Sequence, residues 1–164
     1  LKRKKITTTI SFHNRNIKNS LDMIDLMSVM NIANGGYAEK NYSEAAEWFT
    51  LAANRGYYKA QHNLGHMYDE GVGVTQNYTE AVKWYKLAAD QGSARSQFNL
   101  GNMYRKGQGV KRSYSEAIRL YRLASVQGLA KADYNLGYMY EKGYGVKQSD
   151  RAASSYYKLA EDQS

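Results

Sequence analysis

A period of 36 residues constrains this chain more than any other feature. Asn63-Leu64-Gly65 returns as Asn99-Leu100-Gly101 and as Asn135-Leu136-Gly137. Met67-Tyr68 returns as Met103-Tyr104 and Met139-Tyr140. The loop Gly71-Val72-Gly73-Val74 returns as Gly107-Gln108-Gly109-Val110 and Gly143-Tyr144-Gly145-Val146. Tyr85, Leu87 and Ala88 match Tyr121, Leu123 and Ala124, then Tyr157, Leu159 and Ala160. A worn earlier copy keeps Gly35, Asn41-Tyr42, Glu44-Ala45, Leu51-Ala52 and Gly56 but lacks the Asn-Leu-Gly signature. Self-similarity at a fixed period of this length marks an array of stacked units, each touching only its neighbours. The chain therefore reads as a leader, residues 1–20, and an array, residues 21–164, with repeats at about 21–56, 57–92, 93–128 and 129–164.

Each unit reads as two helices. In the second unit Ala60, Leu64, Met67 and Tyr68 fall at i, i+4, i+7 and i+8, a one-sided apolar stripe of helical period. Gly71 stops that helix, because glycine readily takes the left-handed conformation of a helix C-terminus. Asn77 and Glu80 form a capping box for the second helix, as do Asn41 with Glu44 and Ser113 with Glu116. Ser149 faces Ala152, so the last box lacks its acid. Gly56, Gly92 and Gly128 close the second helices. Two short amphipathic helices bury little alone, so the aromatic and Leu positions are expected to form an interior shared between stacked copies.

These residues carry a family resemblance. Ala-x-x-Asn-Leu-Gly-x-Met-Tyr-x-x-Gly-x-Gly-Val, followed by a Glu-Ala helix with Tyr and Ala and a closing Gly, resembles the Sel-1-like repeat, the longer-loop relative of the tetratricopeptide repeat. The resemblance covers about residues 35–164 well and 21–34 poorly. It implies an all-α fold, a right-handed α-α superhelical solenoid whose first helices line a concave face. It also implies an adaptor or scaffold role, in which the chain is a protein–protein interaction module rather than an enzyme.

Composition excludes several other classes. The chain has no cysteine and no proline, so thiol redox chemistry, disulfide staples and thiolate metal sites are absent. No run of about 18 apolar residues is present to span a membrane, and the basic start is not followed by an apolar signal stretch. A cytoplasmic location is the favoured expectation, with a secreted or periplasmic one left open. The net charge of +8 is uneven. Residues 1–20 hold Lys2, Arg3, Lys4, Lys5, Arg15 and Lys18 and no acid, whereas residues 21–164 hold 17 basic and 15 acidic side chains. The leader reads as a solvated or capping tail. Contact between its charges and nucleic acid is the third functional reading, weakened by the absence of interleaved aromatics.

No cofactor, metal or catalytic residue is expected. The Gly-x-Gly loops lack the preceding strand and third glycine of a dinucleotide fingerprint and read as turns. His62 and His66, at i and i+4, could chelate a metal, but Phe98 and Asn102, then Tyr134 and Tyr138, stand at the matching positions. Ser155-x-x-Lys158 matches the nucleophile pair of penicillin-recognising enzymes, and a β-lactam-hydrolysing relative is the second functional reading; the companion motifs are missing.

The expected site is a ladder along the first helices. Its partner-binding rungs are Lys59, His62, Asn63 and His66; Arg95, Phe98, Asn99, Asn102 and Arg105; and Lys131, Tyr134, Asn135 and Tyr138. By resemblance, Asn63, Asn99 and Asn135 bond the backbone of an extended ligand, for which an amide offers both a donor and an acceptor. The alternative is that these amides bridge within the array. Lys, Arg and aromatics in the later rungs favour an acidic or C-terminal-carboxylate peptide. Self-association is expected through two places. One is the last helix, where Ala153, Tyr157 and Ala160 would lie open. The other is the Met-rich first helix, around Met23, Met27 and Met30, which the leader or a second copy would cover.

Overall fold

Each Asn-Leu-Gly segment sits in the middle of a helix that ends at a left-handed glycine. The computed structural model describes residues 42–163. They form α1 (Tyr42–Asn54), α2 (Tyr58–Glu70), α3 (Tyr78–Asp90), α4 (Ala94–Lys106), α5 (Tyr114–Ser125), α6 (Ala130–Lys142) and α7 (Asp150–Asp162), with no strand among the described residues. Each helix packs on the next in sequence, so the array is an all-α solenoid of helix pairs α2–α3, α4–α5 and α6–α7, preceded by α1. The leader, the Met-rich first helix and the Asn41 cap lie outside the described residues.

The boundaries follow local chemistry. Gly71, Gly107 and Gly143 take φ of 71°, 74° and 69°, and their N–H groups donate to Met67, Met103 and Met139 carbonyls. Asn77 caps α3 by accepting from the N–H groups of Thr79 and Glu80, and Ser113 and Ser149 cap α5 and α7 through Glu116 N–H and Ala152 N–H. The reciprocal half of the expected capping box is not made. The cap N–H of Asn77 donates instead to the Tyr68 carbonyl at 2.9 Å, and that of Ser113 to Tyr104 at 3.0 Å. These bonds close the loop onto the preceding helix. Glu80 and Glu116 turn outward to Lys83 and Arg119, at 3.2 and 3.0 Å.

Glycine also permits two kinds of close approach in the described repeats. Within a repeat, Gly65, Gly101 and Gly137 let the rings of Tyr85, Tyr121 and Tyr157 lie on the first helix; an added Cβ would stand 2.7 Å from each ring. Between repeats, the second loop glycine, Gly109, has φ of 67° and a Cβ there would collide with the Tyr78 backbone carbonyl at the start of α3. The Gly-x-Gly loops are thus stacking devices, each seated on the second helix of the preceding unit.

The core is small residues around buried rings: Ala117, Ile118, Tyr121, Ala124, Ala132, Leu136 and Met139 in one cluster, and Ala81, Tyr85, Ala89, Leu100, Met103 and Leu120 in another. Two expectations need correction. Leu87, Leu123 and Leu159 are not interior; each is exposed by 40% or more, because alanines occupy the inward side of the second helices. In α7, Ala153 and Ala160 are buried and Tyr157 packs on Gly137, so these residues face their own first helix rather than lying open.

A polar ladder runs through the same repeats. Gln61, Gln97 and Asp133 are buried one turn into the first helices. Gln61 and Gln97 donate to the Ala53 and Ala89 carbonyls. Their own carbonyls accept from Gln91 and Gln127 at 2.7 and 2.8 Å. In the last repeat Ser125 donates to Asp133 at 2.5 Å, and the Gln163 amide, turned to its bonding orientation, donates to Asp133 at 3.0 Å. Each of the last three repeats therefore ties the end of its second helix back to its first, satisfying polar atoms that burial would otherwise leave costly.

Candidate functional site

The first helices align their outward residues along one side of the array, and an open cleft of about 680 Å3 lies there. From the expected ladder it takes His62, His66, Arg95, Phe98, Asn99, Asn102 and Lys131. Asp69, Glu70, Lys106, Gln108, Leu129 and Gln163 line it as well. Lys59, Asn63, Arg105, Tyr134, Asn135 and Tyr138 lie outside it. Gln108, Leu129 and Gln163 carried no signal in the sequence, since they sit in a loop, at a helix start and at the end of the last helix.

The residues at the 62, 98 and 134 positions differ in type but share a contact. His62 tilts against Tyr85 with ring centroids 5.8 Å apart, Phe98 against Tyr121 at 5.9 Å, and Tyr134 against Tyr157 at 5.3 Å. An aromatic ring is what these positions require, because it covers the tyrosine that the glycine has let in. His62 Nδ1 also lies 2.9 Å from the buried Ser96 Oγ. Burial, and then the charges of His66 and Arg95, lower its pKa to about 4, so His62 is a neutral ring at neutral pH. No cluster of three His, Cys, Asp or Glu groups suited to a metal occurs among the described residues.

The tyrosine hydroxyls bond to polar side chains of the first helices, and Tyr85 also lines the cleft. Tyr85 donates to Asp69 at 3.4 Å and Tyr157 to Glu141 at 2.7 Å. In the repeat between them Arg105 stands where those carboxylates do, and Tyr121 donates one turn earlier, to Asn102 Oδ1 at 2.7 Å. Burial raises the phenol pKa of Tyr85, and raises that of Tyr157 to about 12. Burial, with Glu70 beside it, also raises the Asp69 pKa. Asn102 Oδ1 also accepts from Asn135 Nδ2 at 3.1 Å, so this amide bridges two repeats. Arg105 is half-buried with an unpartnered Nε and faces the Tyr121 hydroxyl, whereas Arg95, Lys106 and Lys131 are exposed. Ser155 is exposed and donates to the Arg151 carbonyl at 2.9 Å, a local helix bond. The open cleft thus brings together aromatic, amide, basic and acidic groups.

The comparisons with known proteins agree on the fold. The Sel1 repeat family model matches residues 30–57, 59–93, 94–129 and 130–164. The c5321 protein, a protective antigen of uropathogenic Escherichia coli with an SLR fold, is 38% identical with a TM-score of 0.79; the match covers 83% of this chain and 29% of that one. A Sel1 repeat protein from Oxalobacter formigenes is 33% identical with a TM-score of 0.75, covering 84% of this chain and 53% of that one. The chain thus spans little more than half the length of one and under a third of the other. No curated protein matches it in sequence.

Proposed function

Because the chain belongs to the Sel1 repeat family, whose members are in general non-catalytic protein-interaction scaffolds, we propose that it is an adaptor that binds an acidic protein segment along the concave face formed by α2, α4 and α6. The observation that carries this reading is the cleft itself: Phe98, Asn99 and Asn102 line it, and the exposed Arg95, Lys106 and Lys131 outnumber its two acids, Asp69 and Glu70. An extended peptide needs apolar contact, amides for its backbone and cations for its carboxylates. Asn99 and Asn102 supply the amides, Asn102 through its Nδ2 because its oxygen is held by Tyr121 and Asn135. No sequence-specific partner is implied.

The test is binding of a short fluorescent peptide of glutamates around one central phenylalanine. Reversing Arg95, Lys106 and Lys131 to Glu should abolish binding and leave the melting temperature near that of the parent, since exposed charges contribute little to stability. Arg105 is left unchanged because its Nε is buried. Unchanged affinity in the reversed variant would place binding elsewhere on the array.

A further inference from the structure

Outside the cleft, the junction between the last two repeats carries a row of side chains that the fold does not require. Arg112 lies over the Tyr114 ring, 5.5 Å from its centre. Tyr114 stacks on Tyr144 at 4.9 Å with planes 10° apart. Tyr144 meets Tyr138 edge-on at 6.0 Å, and the Lys142 ammonium is 5.9 Å from the Tyr138 ring. The row is thus three aromatic rings with a cation at each end. The loop of the last repeat holds it together, since Gly145 sits against Tyr114.

The array supplies its own control. One repeat earlier, at the same five positions, stand Gln76, Tyr78, Gln108, Asn102 and Lys106. There Gln76 simply donates to the Asp69 carbonyl and the Tyr78 hydroxyl, at 2.7 and 3.1 Å, and the loop stacks as well without a row. The charge changes in step. Segment 69–76 holds two acids and no base, while its counterparts 105–112 and 141–148 together hold six bases and one acid, Glu141. Arg112, Lys111 and Lys147 are exposed and make no ion pair among the described residues. The neighbouring Glu141 is already held by Lys142 at 2.6 Å and by Tyr157.

We propose that this row is a second docking surface, which grips an acidic segment carrying an aromatic or large apolar side chain where that segment leaves the cleft. The proposal rests on the reading of the array as a protein-binding module. Charge complementarity selects an anionic occupant. The ring geometry selects a peptide over a nucleic acid: Tyr114 is already covered by Tyr144 and Arg112, whereas single strands need open ring faces on which bases stack. Exposed Tyr144, at 37%, offers an edge and a hydroxyl to an apolar side chain and its flanking carboxylates.

The test replaces two members of the row by the residues that the preceding repeat uses there, Arg112→Gln and Tyr144→Gln, so that the fold is kept by precedent. The probe is the same glutamate peptide with its central phenylalanine. Its affinity should fall about tenfold in the double variant, with an unchanged melting temperature. Exchanging the peptide's phenylalanine for alanine should weaken binding to the parent array but hardly weaken binding to the variant further. Equal affinity of parent and variant would overturn the proposal, as would tighter binding of an oligothymidylate or of anionic vesicles that the variant loses. The cleft reversal separates the two readings. If it abolishes binding and the row variant does not, the row fails and the cleft stands. If only the row variant weakens binding, the row stands and the concave-face reading fails.

Discussion

The ring of Tyr121 lies on the bare Cα of Gly101, and a Cβ added there would meet its Cε1 at 2.7 Å with the Ala117 carbonyl 3.4 Å away. Tyr121 is fully buried and has nowhere to go. Gly101→Ala should therefore destabilise the array by about 1–3 kcal/mol, the usual cost of overpacking. Gly137→Ala should cost less, because its partner Tyr157 is only half-buried and can swing outward. Urea unfolding of the two variants checks the order, and equal effects would contradict it.

His62 makes stability depend on pH. Its folded pKa of about 4 lies below the ordinary value near 6.5. Between those two values the unfolded chain takes up a proton that the folded chain refuses. Stability is therefore full above pH 6.5 and declines as pH falls towards 4, by at most about 3 kcal/mol. His62→Phe copies the ring of Phe98, keeps the contact with Tyr85 and has no proton to bind. Melting temperatures measured across this window should fall less steeply for the variant, and parallel curves would show that His62 is not the group responsible.

The glutamine ladder makes a third prediction. Gln97→Leu keeps the size of a buried side chain but removes two of the ladder's bonds, the one Gln97 donates to the Ala89 carbonyl and the one it accepts from Gln127. A loss of about 1–3 kcal/mol is expected from two lost hydrogen bonds, since each contributes about 0.5–1.5 kcal/mol. Leu123→Gln should cost less by comparison, since Leu123 is 40% exposed and its replacement breaks no buried hydrogen bond. Thermal unfolding of both variants decides it.

Gly109→Ala should be more damaging than Gly92→Ala. Both glycines have positive φ, at 67° and 91°. A methyl on Gly92 meets nothing within 4 Å, whereas one on Gly109 runs into the Tyr78 backbone. Gly109→Ala should loosen the stacking of one repeat on the next, visible as faster amide exchange in α3 and α4.

The sequence revealed what repeats: the helix pairs, the left-handed stops at Gly71, Gly107 and Gly143, and the loops as turns. It misled where periodicity and hydropathy point different ways. Leu87 and its successors recur like core residues yet stand outside, because the alanines beside them take the inward place. Gln61 and Gln97 look like surface residues, and Asp133 breaks their pattern, so a buried ladder passed unseen. His62, Phe98 and Tyr134 differ in chemistry, which disguises their common role as covers for a tyrosine ring. The row at Tyr144 shows in the sequence only as two aromatics that depart from their counterparts; that Tyr114 and Arg112 complete it depends on how one loop seats on the preceding helix.

Cross-linking from the face itself decides whether the first helices are where a partner sits. A photoreactive phenylalanine analogue at position 98 lies in the cleft, and one at position 123 lies on the exposed side of a second helix. With the glutamate peptide, or with a partner once identified, irradiation should join the ligand to position 98 and leave position 123 unmodified. Cross-linking at 123 with none at 98 would contradict binding on the concave face.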